Sequence, residues 1–79
     1  MDIDRLMELA RRRIQTGQND GAIDALRQVL AFEPDLSEAH AYLALCLLKA
    51  KRLHAALQEA RIALSLESDS ELAHYALAN

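Results

Sequence analysis

Three histidines and one cysteine are the residues of this chain whose side chains could do chemistry. His40 and His74 lie 34 positions apart, His54 lies between them, and Cys46 stands in the middle of an apolar run. Metal sites usually take ligand pairs that are separated by only a few residues, and no such pair is present here. We therefore expect His40 and His74 to be half-buried packing residues and Cys46 to be an inert core thiol, with no metal or cofactor bound.

Motifs for catalysis are missing as well. The sequence has no glycine-rich phosphate loop, no strand-turn-serine elbow and no paired carboxylates in a recognisable cleft. Three consecutive arginines at residues 11–13 follow Glu8, which could pair with Arg12 one helical turn away. This spacing favours a solvated helix face over an anion site, and we expect the chain not to be an enzyme.

Composition narrows the class of protein further. The 79 residues suffice for one domain with a small core. The 12 acidic and 9 basic residues give a formal net charge of -3, whereas nucleic-acid-binding domains are usually basic. A single cysteine excludes an internal disulfide and suits the cytosol. The N-terminal sequence lacks the pattern of a signal peptide, and the longest uncharged apolar run, residues 39–48, is about half the length that a bilayer requires. We expect a cytoplasmic protein that binds neither nucleic acid nor membrane.

The strongest pattern in the sequence is a repeat of 34 residues. Apolar and acidic residues recur at this offset: Leu9 with Leu43 and Leu77, Ala10 with Ala44 and Ala78, Ala22 with Ala56, Leu30 with Leu64, Glu33 with Glu67, and Asp35 with Asp69. A period of this length is typical of helical solenoids, in which each unit leaves an apolar face that a neighbour covers. Because stacked helices present a broad surface, binding is the expected function.

Apolar spacing and turn residues predict four helices and the start of a fifth. The first extends from about residue 2 to residue 16 and ends at Gly17, which can adopt a left-handed backbone. Pro34 ends the second helix. In the next hairpin turn Lys51 replaces glycine, and we expect it to hold the left-handed conformation at a cost of about 1 kcal/mol.

Polar residues at the expected helix starts predict the N-terminal caps. Short polar side chains there can accept hydrogen bonds from backbone N–H groups that lack a helical partner. The predicted caps are Asn19 or Asp20 for the second helix, the pair Asp35 and Glu38 for the third, and the pair Ser68 and Glu71 for the fifth.

Small residues at fixed offsets and a closing proline give these units the appearance of a known family. The residues concerned are Ala10, Ala44 and Ala78, Ala22 and Ala56, the larger Leu9, Leu26 and Leu30, and Pro34. In this pattern the chain resembles the tetratricopeptide repeat over residues 3–79. It departs from that family at its aromatic positions and its second closing proline, which here are Leu6, His40, His74, Arg13, Leu47, Ala60 and Ser68.

The resemblance implies an all-α fold, an α-α superhelix of antiparallel helix-turn-helix repeats. We expect about two and a third repeats, or five helices, in a single domain of residues 1–79. Repeat one would occupy residues 3–36, repeat two residues 37–70, and a partial third residues 71–79.

The resemblance also implies that the first helix of each repeat lines a concave groove. The residue set with which some family members hold acidic chaperone tails is missing, since only Arg11 at those positions could pair with a carboxylate. We expect the groove to bind an apolar or amphipathic segment, with Arg11 and Lys49 attracting an acidic flank. The predicted peptide-binding residues are Met7, Arg11, Tyr42, Leu45, Lys49, Leu72 and Tyr75, and Asn79 lies on the same predicted face.

Other interpretations of the same residues stay open. Met7, Leu45 and Leu72 have the helical spacing of core residues, and the third helix is apolar nearly all round. The favoured function is a protein-interaction or scaffold module within a longer protein. The alternative is a self-assembly element that forms a homodimer or larger homo-oligomer, and a third possibility is the accessory domain of an enzyme.

Overall fold

The computed structural model describes residues 2–78, which form five α-helices. They are α1 (Ile3–Gln15), α2 (Asn19–Phe32), α3 (Ser37–Lys49), α4 (Leu53–Leu66) and α5 (Glu71–Ala78). Because short turns join them, consecutive helices are antiparallel, and α1 with α2 and α3 with α4 form two helical hairpins. No strand occurs between residues 2 and 78. The predicted all-α helical repeat fold is confirmed.

The two hairpin turns have the same backbone geometry although their sequences differ. In the first turn Gly17 has a φ of 79°, and the Gln18 N–H donates to the Arg13 carbonyl oxygen at 2.8 Å. In the second turn Lys51 has a φ of 64°, and the next N–H donates to the Leu47 carbonyl oxygen at 2.9 Å. Both are Schellman motifs, which require a left-handed residue just after the helix. The predicted left-handed conformation of Lys51 is confirmed.

The predicted caps of α2 and α3 are wrong. The residues in the N-cap position are Gln18 and Leu36, and neither side chain accepts a cap hydrogen bond. Asn19 and Asp20 already lie within α2, because the Schellman turn leaves only three residues between the first two helices. Leu36 packs against the core, so burial of this leucine sets the start of α3 in place of a cap by Asp35.

Side-chain caps do occur at the two outer helices. The Asp4 N–H donates to Asp2 Oδ1 at 3.1 Å at the start of α1. At the start of α5 the Ala73 N–H donates to Ser70 Oγ at 3.2 Å, so Ser70 performs the role that was predicted for Ser68. The prediction was off by two residues because α5 begins at Glu71, directly after Ser70.

Helix α3 is the centre of the packing, since it contacts each of the other four helices. The largest fully buried side chains are Leu26 and Val29 of α2 together with Leu43, Cys46 and Leu47 of α3. Burial of these five supplies much of the hydrophobic stabilisation, at roughly 1.5–3 kcal/mol for each large aliphatic side chain.

Buried alanines join α3 to α4 and α5. They form two layers, one of Ala41, Ala63 and Ala73 and the other of Ala44, Ala60 and Ala76. Each layer takes one residue from each of these three helices. A methyl group at every contact lets the helices approach closely, so any larger side chain would separate them.

His40 ties α3 to its neighbours by hydrogen bonds. It is almost fully buried, its Nδ1 lies 2.7 Å from Glu59 Oε1 of α4, and its Nε2 lies 2.6 Å from the carbonyl oxygen of Pro34. Since a carbonyl oxygen can only accept, Nε2 is the donor in the second contact. The expected packing role of His40 therefore includes two specific polar contacts.

Replacing Lys51 by glycine should stabilise the fold by about 0.5–1 kcal/mol. A residue with a Cβ atom costs about 1–2 kcal/mol in the left-handed region, and the more flexible unfolded state of a glycine variant offsets part of the gain. The free energy of unfolding is measured by urea denaturation.

The matched control is Gly17→Ala in the equivalent turn. No atom lies within 4 Å of a Cβ added at Gly17, so a loss of stability there reports backbone strain alone. We expect a loss of about 1 kcal/mol. A less stable Lys51→Gly variant would mean that the lysine side chain contributes more than its backbone strain costs.

Candidate functional site

Two adjoining cavities lie on the surface formed by α1, α3 and α5. The first lies between α1 and α3, the second lies between α3 and α5, and both are lined by Leu36 and Glu38. We call the two cavities together the groove. Its position follows from the stacking of the hairpins, because the first helix of each hairpin lies beside the first helix of the next unit.

Apolar side chains line part of each cavity. Ile3 and Met7 of α1 line the first cavity, Tyr42 of α3 and Leu72 of α5 line the second, and Leu36 is shared. Ile3 and Met7 are four residues apart and so lie on one side of α1. Met7 is only 4% exposed and belongs to the core as much as to the groove. Tyr42 is half-buried and packs against the core from the groove side.

Carboxylates surround the first cavity. The acidic residues in its lining are Asp2, Asp4, Glu8, Glu33 and Glu38. Asp2 caps α1, and Asp4 and Glu8 lie in its first half. Glu33 is the C-cap residue of α2, and Glu38 lies in the first turn of α3. They come together because the turn from α2 to α3 runs past the N-terminal end of α1.

The second cavity repeats this arrangement one unit later. Its acidic lining consists of Glu67, Asp69 and Glu71 together with the shared Glu38. Glu67 is the C-cap residue of α4 and is the repeat equivalent of Glu33. Glu67, Asp69 and Glu71 were not among the residues expected in the groove, although the recurrence of Glu33 and Glu67 at the 34-residue offset was a signal for them.

The three consecutive arginines do not form a common anion site. Each binds a different partner: Arg11 Nη1 lies 3.8 Å from Glu38 Oε1, Arg12 Nη2 lies 3.4 Å from Glu8 Oε1, and Arg13 Nη1 donates to the Gly21 carbonyl oxygen at 3.0 Å. The predicted pair of Glu8 and Arg12 is confirmed. Arg11 lines the first cavity, where it already faces a carboxylate of the protein itself.

Four of the seven predicted peptide-binding residues line the groove. Met7 and Arg11 line the first cavity, and Tyr42 and Leu72 line the second. All four lie in the part of α1, α3 or α5 that faces the adjoining helix.

The other three predicted residues lie outside the lining of these two cavities. They are Leu45 and Lys49 in the C-terminal half of α3, and Tyr75 of α5, whose side chain is largely exposed. Asn79, which also belongs to the predicted face, lies outside the described residues.

His74 differs from its repeat equivalent His40. Its Nε2 lies 3.0 Å from the Ser68 carbonyl oxygen, which repeats the contact of His40 with Pro34. His74 is nevertheless exposed, so its expected half-buried state is wrong. The reason is that α4 covers His40, whereas no helix of the described residues covers His74 in the same way. Among residues 2–78, no three His, Cys, Asp or Glu side chains are placed to hold a metal ion.

Cys46 of α3 is fully buried in the hydrophobic core. Burial raises the pKa of its thiol above the ordinary value, while the nearby charge of Lys49 acts in the opposite direction. Since desolvation is the larger of the two effects, the neutral thiol is favoured, which makes Cys46 a poor nucleophile in the folded protein.

The architecture and the groove define an α-helical repeat protein with a concave surface. The sequence profile described as the tetratricopeptide repeat matches residues 13–79, which is most of the chain. The chain therefore belongs to the tetratricopeptide repeat family, whose members generally mediate protein-protein interaction or scaffolding and are typically non-catalytic. A comparison with curated proteins finds no match. None of the helices within residues 2–78 has the length and apolar character needed to cross a membrane.

Because of Cys46, the fold should lose stability as the pH rises above about 8.5. The raised pKa of the folded thiol means that the unfolded chain releases this proton first, and ionisation then favours unfolding. Below the unfolded value both states keep the proton and the contribution is constant.

The measurement is urea denaturation from about pH 7.5 to pH 10 on the wild type and on Cys46→Ala. The alanine variant is expected to be less stable throughout because it leaves a small cavity, but to lose less stability across this range. The two proteins are identical at every other residue, so only the difference between the two slopes reports Cys46. Equal slopes would contradict the prediction.

Proposed function

We propose that the chain is a protein-interaction module that binds an apolar or amphipathic segment of a partner protein in the groove. The single observation that carries the proposal is the set of apolar side chains that line a groove shared by α1, α3 and α5. Tyr42 lines the second cavity and packs against the core, and half-buried aromatic residues often dominate binding energy. The bound segment would cover Tyr42, Leu72 and Leu36.

The same proposal assigns no catalytic role, cofactor, nucleic acid or membrane to this chain. The carboxylates of the groove would repel a phosphate backbone, which supports the exclusion of nucleic acid. A single buried thiol, Cys46, is compatible with a reducing compartment, and we place the interaction in the cytoplasm. Leu45, Lys49 and Tyr75 would extend the contact beyond the two cavities if the bound segment is long enough.

Replacing Tyr42 by alanine should weaken binding by about 2 kcal/mol, which is about 30-fold in Kd. The probe is a peptide selected on the wild-type chain from a phage-displayed library of short random peptides. The Kd is measured by fluorescence anisotropy, and the free energy of unfolding is measured by urea denaturation of the same samples.

The control for this substitution is Phe32→Ala, which removes an aromatic ring that is 61% exposed at the end of α2 and lines neither cavity of the groove. It should leave the Kd unchanged. If Tyr42→Ala loses stability without any loss of affinity, Tyr42 is only a core residue. If the library yields no peptide that depends on Tyr42, the groove does not bind peptides.

A second candidate function is self-assembly into a homodimer, and exposed leucines of α4 favour it. Ile23 of α2 is 9% exposed and belongs to a cluster with residues from the C-terminal half of α3. Its repeat equivalent, Leu57 of α4, is 37% exposed because the described part of α5 is shorter than α3. Leu53, one turn earlier, is exposed as well. A second copy of the chain could cover both leucines.

Light scattering over about a hundredfold range of concentration tests the homodimer. The wild type should shift from monomer to dimer mass, and Leu53→Gln/Leu57→Gln should remain monomeric. The control is Ile62→Gln, because Ile62 is similarly exposed at 39% but lies on another side of the same helix. A constant monomer mass for the wild type would remove self-assembly from consideration.

A further inference from the structure

Charge is distributed unevenly between the groove and the rest of the molecule. The residues that line the groove include eight of the 12 carboxylate side chains of the chain, but only one, Arg11, of its 9 cationic side chains. The groove is therefore strongly negative, while the remaining surface carries an excess of positive charge. A concave surface with charges of one sign concentrates the electrostatic potential at the place where a ligand would bind.

Part of this negative charge has a structural reason. Asp4, Glu38 and Glu71 lie in the first turns of α1, α3 and α5, where the helix dipole stabilises an acidic residue. These three would be expected in a helical protein whatever it binds.

Glu33 and Glu67 have no such reason. Each is the C-cap residue of its helix, α2 or α4, where the helix dipole disfavours negative charge, and neither helix has a basic residue in its last turn. Among the ion pairs of the described residues, none involves Glu33 or Glu67. Two equivalent positions thus carry an acidic residue where the helix dipole disfavours one, and both residues line the groove. Local preferences of this kind are most often broken at functional sites.

We propose that the partner segment is basic, with an apolar residue seated against Tyr42 and Leu72 and with lysines or arginines on either side that pair with the carboxylates of the groove. This inference rests on the proposed function, because it names the chemistry of the segment that the groove binds. The carboxylates of the groove would repel an acidic segment along its whole length. Arg11, the one cationic side chain in the lining of the two cavities, already lies 3.8 Å from Glu38. For this reason the proposed segment carries basic residues in place of the acidic flank that was expected from the sequence.

Selection from the same phage-displayed library tests the proposal on the full chain. Peptides that bind the wild type and are lost on Tyr42→Ala are sequenced. They should contain more lysine and arginine than aspartate and glutamate, relative to the library before selection.

The two proposals fail in different ways in this experiment. Peptides that depend on Tyr42 but show no excess of basic residues would overturn the basic partner and leave the groove as a peptide-binding site. A library with no peptide that depends on Tyr42 would overturn both.

The double variant Glu33→Lys/Glu67→Lys tests the two carboxylates directly. It should fold at least as well as the wild type, because lysine is favoured at a helix C-terminus. Its Kd for a lysine-rich peptide selected on the wild type should nevertheless rise about tenfold at low salt, and this difference should shrink at physiological ionic strength. Circular dichroism and urea denaturation establish that the variant is folded.

The matched control is Asp20→Lys/Asp24→Lys on α2, which changes the net charge by the same amount at residues outside the groove lining. It should change the Kd much less. An equal loss in both double variants would mean that net charge alone attracts the peptide, and it would overturn the role of the groove carboxylates. Unchanged binding by Glu33→Lys/Glu67→Lys would do the same.

Discussion

The packing of the other four helices against α3 is the constraint on which the rest of this structure depends. On one side α3 contributes the large residues Leu43 and Leu47 to the core shared with α1 and α2. On the other side it meets α4 and α5 through alanines that are almost completely buried. Large residues supply the hydrophobic stabilisation, and small residues set the distance between helices. Because α3 serves both purposes at once, its sequence is apolar nearly all round.

The groove is a consequence of this stacking. When two hairpins and a further helix pack in register, their first helices lie side by side and leave a concave surface between them. The turns from α2 to α3 and from α4 to α5 lead directly into two of these helices, so acidic residues of the turns converge with acidic residues of the first helical turns. Glu33 and Glu67 lie at the C-terminal ends of α2 and α4, where the helix dipole disfavours negative charge.

Equivalent turns between the helices keep the same geometry although their sequences differ. Gly17 and Lys51 occupy equivalent positions with nearly the same φ, and the same hydrogen bonds form around both. Pro34 and Ser68 likewise occupy equivalent turns, and each offers its carbonyl oxygen to a histidine ring six residues later. Backbone hydrogen bonds define these turns, so a side chain that does not suit the conformation adds strain of about 1 kcal/mol without changing the geometry.

The sequence by itself determined the number of helices, their approximate ends, the left-handed turn residues and the family. These are local or periodic properties, because helical spacing, glycine and proline constrain the backbone within a few residues, and the 34-residue period reports the repeated unit.

The tertiary structure alone decided burial and proximity. His40 and His74 are equivalent in sequence, but only His40 is covered by α4, and the groove predicted from one helical face uses Tyr42 and Leu72 while Leu45 lies outside its two cavities. The carboxylates of the groove come from α1 and its N-cap, from the first turns of α3 and α5, and from the turns that follow α2 and α4. Only the packing of separate helices brings these segments together.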